Sequence, residues 1–292
     1  MGLTGHPEER VATMTEEGRS VGASLAGSAA LASPGGARIV MAAKDVRLGF
    51  GSTTVMEDIT VDMPAGSITA LVGPSGSGKT TFLRALNRMN DRVRGYWREG
   101  LILLEGQDIH GRDVDPLVLR RRVGMVFQRP NPFPMSISDN VVAGVRAHRM
   151  AKRSELRDIA ETKLAEVGLW SAVADRMHDS PFRLSGGQQQ LLCLARALAI
   201  EPEVLLLDEP TSSLDPRSTE AVEELVRRLT PARTVIIVTH NLAQARRLSD
   251  YTIFFYQGHL VEVGPTAELF ERPMRAETAR YLGGEADPGA AR

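Results

Sequence analysis

The chain has 292 residues, 42% hydrophobic and 24% charged, with 35 Lys and Arg against 36 Asp and Glu. That is enough for one sizeable domain or two small ones, in proportions ordinary for a globular protein. The balanced charge leaves no overall basic field for nucleic acid. The one cysteine, Cys193, rules out an internal disulfide and suits a reducing cytoplasm, and no apolar run approaches the ~20 residues of a membrane helix.

Residues 1–37 are rich in Gly, Ala, Ser and Glu with little periodicity. There EERVATMTEE precedes a diluted SVGASLAGSAALAS, without the basic start and continuous apolar centre of a secretory signal, so a disordered tail is expected. A start at Met41 would cut into the first strand-like run, ARIVMAAKDVRLGF. From residue 38 onward short apolar runs alternate with helical patterns. SITALVG leads into a helix expected from Gly78 to about Met89, and VGMVF, EVLLLD, RTVIIVTH and YTIFFY read as further strands. EVLLLD and RTVIIVTH look buried on both faces, as central parallel strands are, and strands separated by helices indicate α/β layering. Between residues 131 and 184 no strand pattern occurs. SDNVVAGVRAHRM, SELRDIAETKLAEVG and LWSAVADRMHD each read as helix, the second with Leu156, Ile159, Ala160, Leu164 and Val167 on one face. The expected organisation is one domain over 38–282, with a helical insertion at 131–184 and a flexible tail over 283–292.

GPSGSGKT, running from Gly73 to Thr80, fits G-x-x-x-x-G-K-[ST] and sits between a strand and a helix, as that motif requires. Gly73, Pro74, Ser75, Gly76, Ser77 and Gly78, with Thr81 adjoining, read as a loop whose backbone N–H groups wrap a nucleotide's phosphates. Lys79 adds a point charge at the β/γ oxygens, and Thr80 offers a hydroxyl to Mg²⁺. Asp208 closes the run VLLLD at a strand end, where a carboxylate is placed to hold Mg²⁺ through water. Glu209 follows it and is read as the general base for an attacking water, since as a structural residue it would be a buried-edge carboxylate without a partner. His240 ends the next strand in the equivalent place and is read as a γ-phosphate contact. Gln128, at the end of VGMVF, has no acid–base power but orients water or Mg²⁺ through its amide. Pro130, Pro132 and Pro134 stiffen the loop that follows. Phe50, before GFGST closes, is either an adenine-stacking ring or a core aromatic at a strand end.

LSGGQQQLLCLARALA raises a different question. Ser185 and Gln188 have capping-box spacing, but Gly186 and Gly187 each cost roughly 0.5–1 kcal/mol relative to Ala inside a helix. Glycines there leave the first N–H groups uncovered, so that a phosphate can approach. The chain thus carries two phosphate sites. The arginines 84, 88, 92, 94 and 120–122 lack the aromatic interleaving of a nucleic-acid surface and read as solvated faces or ion pairs.

In this order, the phosphate loop, Gln128, LSGGQ and VLLLDEPTSSLD resemble the ATP-binding-cassette ATPases, over essentially everything from Arg38 to Leu282. The resemblance implies an α/β fold: a phosphate-loop NTPase core with an N-terminal antiparallel β subdomain and an inserted α-helical subdomain. It implies ATP and Mg²⁺, and two cassettes packed head to tail. Ser185, Gly186 and Gly187 of one chain, with Gln188 behind them, would then cap the γ-phosphate held by Lys79 of the other, and Asp215 would lie at that interface. One cassette per chain implies a two-fold homodimer, or a heterodimer with a similar chain. Within the superfamily, LNRMND, RRRVGMVFQRPNPFPMSISDNVVAGVR, LWSAVADRMHDS, LSGGQQQ and VTHNLAQARRLSD look like the ATP-binding subunit of bacterial phosphate importers. That implies a peripheral place on the cytoplasmic face of the inner membrane, two transmembrane permease subunits as partners, and indirectly a substrate-binding protein. The loop after Gln128 and the helical insertion would form the cleft for a coupling helix of the membrane subunit. The family usually has a basic residue where this chain has Leu191, which here extends an apolar face with Leu194, Ala195 and Leu198. Nothing in the chemistry of the sequence itself selects phosphate. Import of an amino acid or another oxyanion stays open. So do a cassette working in DNA repair or translation, and a regulatory module that binds ATP without hydrolysing it.

Overall fold

The computed structural model describes residues 37–284 apart from Ser213, so the expected N-terminal tail up to residue 36 and the tail beyond 284 lie outside the described residues. Two long strands open the chain, β1 (Ile39–Phe50) and β2 (Thr53–Pro64), turned on Gly51 at φ 57° and paired antiparallel. The third strand, β3 (Ile68–Val72), leads to α1 (Lys79–Ala85), and the chain then returns to the first sheet through β4 (Tyr96–Leu104) and β5 (Gln107–Asp108). The antiparallel sheet has the order β2-β1-β4-β5. Sequence reading found β1 but not β2 or β4. β2 does alternate buried Ile59, Val61 and Met63 with half-buried Thr60 and Asp62, whereas β4 buries only Ile102 and Leu104, so its first half carries no apolar alternation.

The rest of the chain is α2 (Pro116–Arg122), β6 (Val123–Val126), α3 (Ile137–Ala147), α4 (Leu156–Glu166), α5 (Trp170–Val173), α6 (Gly186–Ala199) and β7 (Val204–Asp208), then α7 (Pro216–Leu229), β8 (Thr234–Val238), α8 (Leu242–Leu248), β9 (Tyr251–Tyr256), β10 (His259–Pro265), α9 (Thr266–Glu271) and α10 (Ala276–Leu282). The second sheet runs β10-β9-β3-β8-β7-β6, with β9, β3, β8, β7 and β6 parallel and β10 antiparallel at the edge. Every residue of β3, β7 and β8 is buried. Their side chains alternate between two cores. Val72, Leu205, Leu207, Val235 and Ile237 face the helical layer, while Leu71, Leu206, Ile236 and Val238 face α1 and the antiparallel sheet. Burial on both faces is why these strands read as unbroken apolar runs. It also fixes where β7 and β8 end, and so where Asp208 and His240 stand.

Two expected helices are shorter than their patterns. The helix expected to reach Met89 stops at Ala85; Arg88 is left-handed at φ 62°, and a 3₁₀ turn follows over Met89–Arg92. LWSAVADRMHD yields only the single turn of α5. Beyond it the carbonyls of Met177 and Asp179 accept from the Ser138 and Ile137 N–H groups at 3.0 and 3.1 Å, serving the start of α3 instead of continuing a helix. Ser136 caps α3 only at the Asp139 N–H, and these two carbonyls take the first N–H groups that the cap leaves over, a tertiary demand that outweighs local helix propensity. Residues 131–184 otherwise hold α3, α4 and α5 and no strand.

Candidate active site

The turn from β3 to α1 is shaped by contacts that exclude side chains. Gly73, at φ 146°, would place a Cβ 2.0 Å from the Phe255 carbonyl oxygen, and Gly78, at φ 96°, would place one 2.6 Å from Met56 Cγ. Gly76 is also left-handed, at φ 81°, but its Cβ position is open. The buried Lys79 curls its ammonium onto the carbonyls of Gly73 (2.8 Å) and Pro74 (2.7 Å), with Ser77 Oγ at 3.4 Å. Burial pushes the Lys79 ammonium below its ordinary pKa, opposed by the nearby carboxylates of Glu209 and Asp208. A cation held only by neutral oxygens, in a loop with open space at Gly76, suits a polyanion.

Thr80 Oγ1 donates to Asp208 Oδ1 at 2.8 Å, joining the start of α1 to the end of β7 across 128 positions of sequence. Asp208 is almost fully buried, and its other oxygen receives Arg84 Nη2 at 3.3 Å. Two hard oxygen donors therefore already converge beside the phosphate loop, the donor type a small divalent cation such as Mg²⁺ takes. Arg84, read from sequence only as one of a basic group, is the partner that stabilises this buried carboxylate.

Glu209 has left-handed backbone, φ 45°, rare for a residue with a side chain. Its N–H donates to the Val238 carbonyl, and its carbonyl accepts from the Ser212 N–H and Oγ. The side chain does have partners, contrary to the expectation of an unpaired carboxylate. Its Oε2 receives Gln128 Nε2 at 3.0 Å and lies 3.1 Å from His240 Nδ1. An ionised carboxylate only accepts, so Nδ1 carries the proton and Nε2 is left for another group. Three residues from the ends of β6, β7 and β8 thus meet on one oxygen. A cleft of about 620 Å³ opens beside Glu209 and His240, with Thr211, Thr239, Glu223 and Arg247 also in its walls.

Phe50 ends β1 half-buried, its ring 5.6 Å from that of its cross-strand partner Tyr96. Ser185 caps α6 as expected, accepting from the Gln188 N–H at 3.3 Å while its own N–H donates to Gln188 Oε1 at 3.1 Å. Asp215 caps α7: its oxygens accept from the Ser218 N–H (3.0 Å) and Oγ (2.6 Å), which hold the carboxyl below the usual range. A Cβ on Gly187 would lie 3.2 Å from Ser218 Oγ, so the starts of α6 and α7 abut. Among the described residues no hydrogen bond joins Ser185, Gly186 or Gly187 to residues 73–81. Leu191 lies half-buried against the apolar core, as its helical face suggested.

The proline-rich loop after Gln128 is held by two side chains. Asn140 accepts from the Phe133 N–H at 2.7 Å and donates to the carbonyls of Phe133, Met135 and Ser136, while Arg196 binds Asn131 and lies 4.2 Å over the Phe133 ring. This leaves Phe133 42% and Met135 39% exposed. Of the arginines noted in the sequence, Arg88, Arg120 and Arg122 pair with Asp91, backbone carbonyls, and Glu105 with Glu203.

Residues 56–212 match the family profile described as ABC transporter. The chain is 60% identical over 261 residues to the phosphate import ATP-binding protein PstB 2 of Mycobacterium tuberculosis (strain ATCC 25618 / H37Rv), covering 89% of this chain and 94% of that one. It is 63% identical over 243 residues to the phosphate import ATP-binding protein PstB of Mycobacterium intracellulare, covering 83% and 85%. Among solved structures, it superposes on cbiO1 from Clostridium perfringens, part of the ABC transporter complex cbiONQ, with a TM-score of 0.69 at 25% identity, over 81% of this chain and 92% of that one. It also superposes on a bacterial Atm1-family ABC exporter with ATP bound, with a TM-score of 0.71 at 28% identity, over 86% of this chain and 42% of the exporter.

Proposed function

The chain belongs to the ABC transporter family, and on that premise we propose that it is the ATP-hydrolysing subunit of an importer of inorganic phosphate. The observation that carries the hydrolytic reading is the meeting of Gln128, Glu209 and His240 on one carboxylate oxygen, beside the loop of Lys79. The likeness to phosphate import ATP-binding proteins supports the transported solute.

Backbone N–H groups over 73–81 and the Lys79 ammonium bind the phosphates, with Phe50 against the adenine. ATP entering the loop draws Lys79 from its carbonyl partners, which exchanges neutral acceptors for charged ones. Thr80, Asp208 and Gln128 would hold Mg²⁺, which when bound neutralises charge on the phosphate oxygens. Glu209 keeps Oε1 for the attacking water, since Gln128 and His240 both hold Oε2, and it takes that water's proton. His240, pinned through Nδ1, offers Nε2 to the γ-phosphate. Positioning and charge stabilisation supply most of the acceleration in phosphoryl transfer, so the fixed geometry of these side chains is the catalytic device.

Ser185, Gly186, Gly187 and Gln188 complete the site of a second copy, with Asp215 at the same interface. The exposed Phe133 and Met135 receive the membrane-spanning permease subunits, beyond which stands a substrate-binding protein. The chain itself has no helix, among the described residues, long and apolar enough to cross a membrane, which fits a peripheral subunit on the cytoplasmic face. The test is uptake of labelled phosphate at micromolar supply in cells whose only copy is wild-type or Glu209→Gln, with sulfate and glutamine uptake followed in parallel. Loss of phosphate uptake alone is expected. Loss of another solute instead would overturn the phosphate assignment, and no change in any would overturn the importer.

A further inference from the structure

We propose that Gln244 is a positioning residue for ATP hydrolysis, locking the loop that carries His240 to the loop that carries Glu209 and fastening both to α7. The inference rests on the hydrolytic reading above. Gln244 is 1% exposed, near the start of α8. Its Oε1 accepts from Thr239 Oγ1 at 2.7 Å. Its Nε2 donates to Thr211 Oγ1 at 3.0 Å and to Glu223 Oε1 at 3.1 Å. Its backbone N–H donates to Asn241 Oδ1 at 3.0 Å. The carbonyl and both amide hydrogens are therefore all committed.

The partners fix which way the amide points. Glu223 accepts only, so it must face the NH₂ group. Thr239 Oγ1 already accepts from the Asn241 N–H at 3.0 Å, so its hydrogen goes to the Gln244 carbonyl. Glu223 is itself buried on α7 and held by Arg247 Nη2 at 2.8 and 3.1 Å, with Arg227 at 3.9 Å. The far end of the network is thus an anchored ion pair.

The network touches the reacting corner from both sides. His240 lies between Thr239 and Asn241, and both of those bind Gln244. Thr211 lies two residues after Glu209 and also binds Gln244. With the 3.1 Å contact between His240 and Glu209, these links close a ring: His240, Thr239, Gln244, Thr211, Glu209 and back to His240. A buried, fully satisfied amide at the centre sets the separation of the two groups that handle water and γ-phosphate, without touching either. Only an amide fits. A glutamate would set two carboxylates about 3.1 Å apart, and an aliphatic side chain would strand the Thr239 hydroxyl hydrogen and take the donor from Thr211 Oγ1.

The test uses the full chain assembled with its membrane subunits in proteoliposomes, with Glu209→Gln as the control for the reading beneath. Gln244→Glu and the uncharged, similarly sized Gln244→Met should each lower kcat roughly tenfold or more, the scale expected when reacting groups are misplaced by less than an ångström. KM for ATP, and MANT-ATP binding, should stay within about twofold, because Lys79 and its loop lie outside the ring. Glu223→Gln combined with Gln244→Glu restores one donor facing one acceptor and should regain most of the kcat lost in Gln244→Glu. Thr211→Val removes a single link and folds under milder demand, and a severalfold fall in kcat is expected of it too. Wild-type kcat in Gln244→Met and Thr211→Val overturns the proposal. So does a loss shared equally between ATP binding and kcat, or a double variant no better than the single one. Should Glu209→Gln turn over at the wild-type rate, the hydrolytic reading fails first, and independently.

Discussion

The loop over Gly73–Gly78 and the start of α6 are both rich in glycine, yet contacts within the chain account for the glycines of only the first. At Gly73 and Gly78 a side chain would strike Phe255 or Met56, and both residues have positive φ. Their identity follows from contacts within this molecule. At Gly186 a Cβ would meet nothing within 4 Å, and the residue sits in the first turn of a helix, where alanine serves better. On the proposed function, the reason for that glycine lies in a second copy. A complete site would then account for its own residues, whereas half of a site would contain residues that only a partner explains. The same contrast separates Glu209, held by Gln128 and His240, from Asp215, whose carboxylate, among the described residues, caps α7 through Ser218.

The contrast breaks most severely at Glu209. Glu209→Gln should bind ATP with wild-type affinity while kcat falls about a thousandfold, within the usual range for losing a general base. A single-turnover assay beside a binding titration checks this, and near-normal turnover would remove the base assignment. Gly78→Ala tests the self-contained region. It should cost on the order of 2–3 kcal/mol through backbone strain and overlap with Met56, read as a lower Tm in the isolated chain. Gly186→Ala should do the reverse. The isolated chain should gain up to about 0.5–1 kcal/mol. ATP turnover of the assembled importer should fall roughly tenfold, the equivalent of about 1.4 kcal/mol lost at a phosphate. A stability loss in Gly186→Ala, or full turnover, would erase the distinction between the two regions.

The smallest effect is a pH dependence seated away from α6. His110, in the turn after β5, is packed among Arg98, Asp91, Arg88 and Asp108, and burial pushes its imidazole down to about 4 from 6.5. Between those pH values the unfolded chain binds a proton that the folded chain refuses, so stability declines as pH falls from 6.5 towards 4. His110→Gln should flatten that decline by on the order of 1 kcal/mol after discounting for solvent screening, measured as the slope of Tm against pH. The α6 helix carries no Asp, Glu or His, so substitutions at its start should leave the slope unchanged.

Much of this was legible before any coordinates. The phosphate loop, the strand ends at Asp208 and Glu209, His240 and the α6 cap are local in sequence, and each depends on a few adjacent residues whose stereochemistry is nearly self-contained. What escaped was non-local. Arg84 looked like one of several surface cations until Asp208 was placed against it, 124 positions away. Gln244 carried no signal, because a lone amide among alanines on a short helix gives no hint of Thr211 or Glu223. The first half of β4 lacks apolar alternation, and the helix pattern after α5 is broken where the Met177 and Asp179 carbonyls serve the start of α3.

By itself the sequence determined the layered α/β class and named the residues proposed for phosphate chemistry, since glycine placement, capping and fully apolar strands are short-range consequences of sterics and burial. Only the tertiary structure decided that Gln128 and His240 share one oxygen of Glu209, and that a buried glutamine clamps the two loops. Those distances depend on how β6, β7 and β8 align in the sheet, and strand register is settled by packing against both cores rather than by any residue's own preference.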